Sequence, residues 1–366
     1  MHTFAFAMTR SLSQPNSRAV ANWILLGVFL LFVQVMLGGI TRLTGSGLSI
    51  TEWDLITGAF PPLNQQQWTA AFDKYKQTRQ FQLLHADFTL SDFKFIFFWE
   101  WVHRLWARLI GVIFLLGFGW LLWKKKIKKE MVKPLLILFL LGGLQGAVGW
   151  LMVVSGLTGD AIYVQPTRLA LHFVFALGLI CYTCWFSLFL LIPKRQIVNN
   201  NPLRGWTLAI IFLLFFQLLF GALMAGHKAA AAAPSWPTIN GYWLPSSLFT
   251  LSPLPINFIE NKITIHFIHR GLAYLLFIAV LVWTLKAVRP ASLSDYLHKT
   301  RGLPLMMLSV QIILGIIAVL SSPGIIANSW GLFDWIALLH QTTGMLFLIT
   351  MVYMLYLVKP EKRGNK

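Results

Sequence analysis

The chain has 366 residues, 57% of them hydrophobic and only 11% charged, and its mean hydropathy is +0.67. That balance excludes an ordinary soluble domain and points to an all-α, polytopic membrane protein. A formal net charge of +18 would raise nucleic acid as a partner in a soluble chain; here the placement of the basic residues matters more, and no nucleic-acid partner is expected.

The first 18 residues hold Arg10 and Arg18 and no acidic residue. They could pass for a short transit peptide, but no small-residue cleavage site follows the first apolar run. Residues 1–21 therefore read as a tail. Eight apolar segments follow, each near the roughly 20 residues that a spanning helix needs. They are 22–40, 96–123, 134–155, 169–192, 205–225, 263–288, 303–320 and 335–358.

Lys124, Lys125, Lys126, Lys128, Lys129 and Lys133 separate spans two and three. Lys194, Arg195 and Arg204 separate four and five, and Lys286, Arg289, Lys299 and Arg301 separate six and seven. With the two tails, most of the 30 basic residues fall on one side. The positive-inside rule makes that side, and both termini, cytoplasmic, as in a bacterial inner membrane protein, with some attraction to anionic lipid. On the other side the loops alternate long and short: 41–95, 156–167, 227–262 and 321–334.

That alternation reflects an internal repeat. QVMLGG (34–39) echoes QLLFGA (217–222), and FFWEWVHR (97–104) echoes TIHFIHRG (264–271). LQGAVGWLMVVSG (144–156) echoes VQIILGIIAVLSSPG (310–324), and ALHFVFALG (170–178) echoes LLHQTTGML (338–346). The copies are an even number of spans apart, so they run parallel. Two pseudo-symmetric four-helix bundles are expected, 22–192 and 205–358, joined by a linker at 193–204 and followed by a tail at 359–366.

His103, His172, His269 and His340 each lie near the start of an even-numbered span, so all four share one depth in the outer leaflet. One such histidine is most simply a hydrogen-bonded core residue. Four in matched repeat positions point instead to two sites of bis-histidine heme ligation, one per half. Arg104 and Arg270 directly follow a histidine, and Arg108 and Arg168 lie nearby. Arginine forks onto carboxylates such as heme propionates, although snorkelling to lipid phosphate is the simpler reading of each.

Glu100 shares a helix face with His103, three residues on. An ionisable group at that depth is expensive unless it works or is paired. It could move protons or stabilise developing charge; the plainer alternative is a pair with Arg104. Its repeat counterpart is His266, read as a core residue or a neighbour of the ligands, so the halves differ chemically.

The motifs GGITRLTGSGLSITEW (38–53), GAFPPL (58–63), FKFIFFWEWVHRLWAR (93–108), GGLQGAVGWLMVVSGL (142–157), RLALH (168–172), HRGLAY (269–274) and LLHQTTG (338–344) resemble the heme A synthase family, in its mitochondrial and proteobacterial-like branch. The resemblance covers all eight spans. It implies an oxidoreductase that converts heme O to heme A for terminal oxidases, oxidising the C8 methyl to a formyl group by successive hydroxylations with water-derived oxygen. It implies that His103 and His172 hold the substrate heme O. His269 and His340 would hold heme b as an electron relay, and Glu100 would be catalytic. A heme O synthase, oxidase assembly factors, membrane lipids and further copies of the chain remain open as partners. The chain departs from the family at Asp54-Leu55, Ala107, His227 and the alanine run 229–233.

Other readings are a non-catalytic di-heme cytochrome b, for which Glu100 is unnecessary, and a transporter with a parallel repeat, which would bind no heme. Cys181 and Cys184 read as packing residues inside span four. His2, His85 and His298 read as solvated. Gly142, Gly143 and Gly146 read as sites of close helix approach, tryptophans as interface anchors, and 64–88 as an amphipathic helix on the outer surface.

Overall fold

A computed structural model describes residues 15–53, 57–326 and 329–360. His2, Asp54, Leu55 and most of the C-terminal tail lie outside the described residues. Among the described residues, eight helices are long and apolar enough to cross a membrane. They are α1 (Pro15–Leu43), α2 (Leu90–Trp123), α3 (Lys129–Leu157), α4 (Pro166–Leu191), α5 (Asn201–Gly226), α6 (Lys262–Lys286), α7 (Leu303–Ser321) and α8 (Leu332–Leu357). Local chemistry sets several of their starts. Thr89 and Asp92 form a reciprocal capping box at α2, Asn200 and Asn261 cap α5 and α6 with their side chains, and Pro166 starts α4, where its missing N–H costs nothing.

In the first half α1 packs on α2 and α4, and α3 on α4; in the second α5 packs on α6 and α7 on α8. The two halves pack against each other. Spans α1, α4, α5 and α8 meet along a seam, and one apolar cluster runs through it, from Val35 through Ile180, Leu214 and Leu276 to Met351. Gln341 of α8 donates to the Val35 carbonyl of α1 at 3.0 Å across this seam. At the lysine-rich end the two-residue strands β1 (Val198–Asn199) and β2 (Val358–Lys359) pair in parallel, and Arg204 donates to the Val358 carbonyl at 2.8 Å. Large apolar side chains such as Phe29, Leu116, Leu140, Phe212 and Ile278 are exposed on the outer faces, as lipid contact requires.

The first long loop folds over the end of α2. Its region 64–88 forms two short helices rather than one, Gln65–Lys76 and Arg79–Leu84. Phe72, Tyr75, Phe93 and Phe97 make a small core of their own. His85, expected to be solvated, is buried there: its Nδ1 lies 2.6 Å from the Tyr75 hydroxyl and its ring stacks on Phe88. Hydrophilicity of the surrounding sequence hid this because Tyr75 comes from a different helix, Gln65–Lys76, and folds back onto the stretch that holds His85 and Phe88. Burial pushes the Tyr75 phenol above its ordinary value. His298 is exposed. Cys181 and Cys184 are unpaired thiols packed on the seam core.

Candidate functional site

The four histidines line a single cavity of about 1390 Å³ toward the long-loop end of the bundle. A pocket for one drug-sized ligand is about 300–1,000 Å³, so this volume suits two large flat groups better than one. Each imidazole rests in the same kind of cradle, supplied by an odd-numbered helix. Gln34 and Gly38 of α1 face His103, and Gln145 and Gly149 of α3 face His172. Gln217 and Gly221 of α5 face His269, and Gln311 and Gly315 of α7 face His340. A Cβ on any of these glycines would stand 2.8–3.1 Å from the imidazole Cε1, so the absent side chain is what lets the ring lie against the helix. The motif Gln-x-x-x-Gly thus occurs four times and was legible in the sequence; only its echo within each pair was read there.

The hydrogen bonds differ between halves. His269 Nδ1 donates to the Gln217 carbonyl at 3.1 Å, and His340 Nδ1 to the Gln311 carbonyl at 3.0 Å. That fixes the tautomer with the proton on Nδ1; each Nε2 then accepts from the glutamine side-chain amide, at 3.3 Å from Gln217 and 3.2 Å from Gln311, and is the nitrogen that a metal would take. In the first half the glutamine side chains donate to the backbone carbonyls of His103 and His172, at 3.2 and 3.0 Å. Their amide nitrogens also lie 3.2 and 3.1 Å from the Nδ1 atoms.

The donor set fits a heme. The His269 and His340 rings have centroids 6.3 Å apart at 67°. A metal–imidazole bond is about 2.0 Å; two such bonds plus two ring radii give roughly the same spacing. No cluster of three or more His, Cys, Asp or Glu suited to a metal occurs among the described residues. Two opposed imidazoles without further protein ligands suit an iron whose four equatorial bonds come from a macrocycle. His103 and His172 lie within electrostatic reach of one another in the first half. Gly142, Gly143 and Gly146 do not make the close helix contact expected from the sequence; a Cβ on any of them would meet nothing within 4 Å, and they line the cavity, leaving width for a planar ligand.

Glu100 is 2% exposed and lines the cavity. Its carboxylate accepts from the Ser49 hydroxyl at 2.7 Å, the Ile50 N–H at 2.9 Å and Arg104 at 2.5 Å. Arg104 also donates to the carbonyls of Ile50 and Glu52. The GLSITEW stretch is therefore wrapped over Glu100 by one guanidinium. Arg270 does the parallel task in the second half, donating to the Ala233 and Thr238 carbonyls of the second long loop at 2.9 and 3.1 Å. Arg168 donates to the Leu151 carbonyl at 2.9 Å, and Arg108 lines the cavity. His227 reaches the Ile259 carbonyl at 2.6 Å, and the alanine run forms a 3-10 turn, Ala229–Ala232, that closes the cavity at that end. His266, in Glu100's repeat position, is fully buried, and neither ring nitrogen has hydrogen-bonding geometry to a partner.

Comparisons with known proteins agree on one family. The cytochrome oxidase assembly protein family COX15-CtaA matches residues 21–352. The chain is 37% identical to the heme A synthase of Flavobacterium psychrophilum, over 93% of this chain and 98% of that relative. It is 41% identical to the heme A synthase of Rhodopseudomonas palustris, over 93% and 90%, and 40% identical to that of Paracoccus denitrificans, over 82% and 80%.

Proposed function

From the premise that the chain belongs to the COX15-CtaA family of cytochrome oxidase assembly proteins, we propose that it is a heme A synthase, oxidising the C8 methyl of heme O to the formyl group of heme A. The observation that carries this reading is two pairs of cradled imidazoles in one cavity, with the buried carboxylate of Glu100 lining it three residues before His103 of the first pair. Converting a methyl and one water to a formyl group releases four protons and four electrons. The residues divide that load. His103 and His172, in the half 22–192, bind the substrate heme. Glu100 stands beside them to accept protons, and Arg104 holds it in place under the first long loop, which keeps bulk water out. His269 and His340, in the half 205–358, hold heme b, which supplies one-electron redox chemistry when bound. Their tautomers, pinned by the Gln217 and Gln311 carbonyls, make them strong, lasting ligands.

The lysine-rich end lies in the cytoplasm with both termini, and the cavity lies toward the outer face of a bacterial inner membrane. Heme O arrives from a heme O synthase and heme A leaves to oxidase assembly. A non-catalytic di-heme cytochrome is not favoured by the relatives. The test is Glu100→Ala in the full-length protein, read by pyridine hemochrome analysis. Heme A should disappear while b-type and o-type hemes stay bound. Normal heme A yield would remove Glu100 from the mechanism, and a heme-free wild-type protein would sink the whole reading.

A further inference from the structure

Of the arginines that line the cavity, Arg42 and Arg108 have no role above, and Arg108 has an interaction of its own. Arg42 lies in the last turn of α1 and lines the cavity. Its Nε is buried without a hydrogen-bond partner. Among the described residues its charged neighbour is Asp334 of α8, yet no ion pair within 4.0 Å joins them; Asp334 instead accepts the Gly331 N–H at 2.9 Å and caps its own helix. The carbonyl end of α1 offsets part of the cost of this cation. A half-buried charge whose Nε is sealed off without a partner remains costly, which points to an anionic group that arrives with the ligand.

Its register says where that group would be. Gln34, Gly38 and Arg42 are spaced by four residues, so they share one face of α1. Arg42 is one turn, about 5.4 Å, beyond the glycine against which His103 packs, toward the long-loop end. A heme held between His103 and His172 would have its iron–nitrogen axis across the bundle, so its plane would run along the helices and one edge would face that end. Arg104 and Arg270 are occupied by Glu100 and by loop carbonyls. At the position matching Arg42, the other three Gln-x-x-x-Gly helices carry Val153, Ala225 and Val319.

We propose that Arg42 is the carboxylate anchor of the first-half pocket. It pairs with a propionate of the porphyrin held by His103 and His172 and so sets the rotation of that ring, deciding which edge meets Glu100. The second-half pocket has no such anchor on its cradle helices. This inference rests on the heme reading above.

The experiment uses full-length protein purified with its resident heme, titrated with ferric heme b or its dimethyl ester and followed by the Soret band. Loss of the response in His103→Ala identifies the first-half pocket. The wild type should bind the diacid about ten- to hundredfold more tightly than the diester, the worth of a charge-assisted pair. Arg42→Gln should lower diacid affinity to that of the diester and leave the diester unchanged; Arg42→Lys should restore part of the difference. Equal binding of diacid and diester by the wild type, or discrimination that survives Arg42→Gln, would overturn the anchor, including the case in which Arg42 serves a lipid phosphate. A titration with no His103-dependent binding would instead reject the heme reading, and the anchor with it.

Discussion

The two halves share a cradle and differ in what stands beside it. In both, a Gln-x-x-x-Gly helix presents a flat groove to an imidazole. Beside the first pair lie Glu100, Arg104 and Arg42; the same positions beside the second pair hold His266, Arg270 and Ala225. On the proposed reading, a repeat that kept its histidines and changed their neighbours separates a pocket for acid–base work from one that holds a group in place. The backbone-anchored tautomers of His269 and His340 point the same way.

That contrast can be broken most directly at the carboxylate. Glu100→Ala should cut heme A formation by about 10²–10⁴-fold, the usual worth of a proton-transfer group, whereas His266→Ala should leave turnover within about threefold by the same measure; single-turnover assays on purified protein compare the two. The cradles come next. Gly149→Leu should empty the first pocket and Gly315→Leu the second, each removing about half of the bis-histidine heme signal, because each axial imidazole loses its seat; heme-to-protein ratios check this.

The two loop-clamping arginines sharpen the comparison further. Arg104→Gln strands a buried carboxylate and should cost about 3–5 kcal/mol. Arg270→Gln loses bonds to two neutral carbonyls and should cost about 1–3 kcal/mol. Thermal unfolding of the two variants in one detergent would rank them, and an equal loss would contradict the proposed asymmetry. The smallest effect is expected at Tyr75→Phe, which leaves His85 without its hydroxyl partner and should loosen the first loop by about 1 kcal/mol, visible as faster limited proteolysis within 65–88.

Much of the site was readable from the chain. The histidines announced themselves through depth and repetition, and Glu100 through its cost in an apolar span. The glutamines and glycines could have been found by aligning all four odd helices rather than two pairs. Arg42 was harder to see, since at a helix end it resembles an ordinary snorkelling residue. His85 and the glycines at 142, 143 and 146 were misjudged because solvation and close approach depend on what lies opposite.

Hydrophobic length, basic bias and internal echo determined by themselves that eight spans form, that they repeat as two sets, and which residues share a helix face. The tertiary structure decided which partner each face meets: that Arg104 and Arg270 hold loops, that Arg42 is left facing the cavity, and that the halves share one core. The reason is geometric. A period of 3.6 residues specifies a direction around one helix, but the neighbour in that direction is set by packing among all eight.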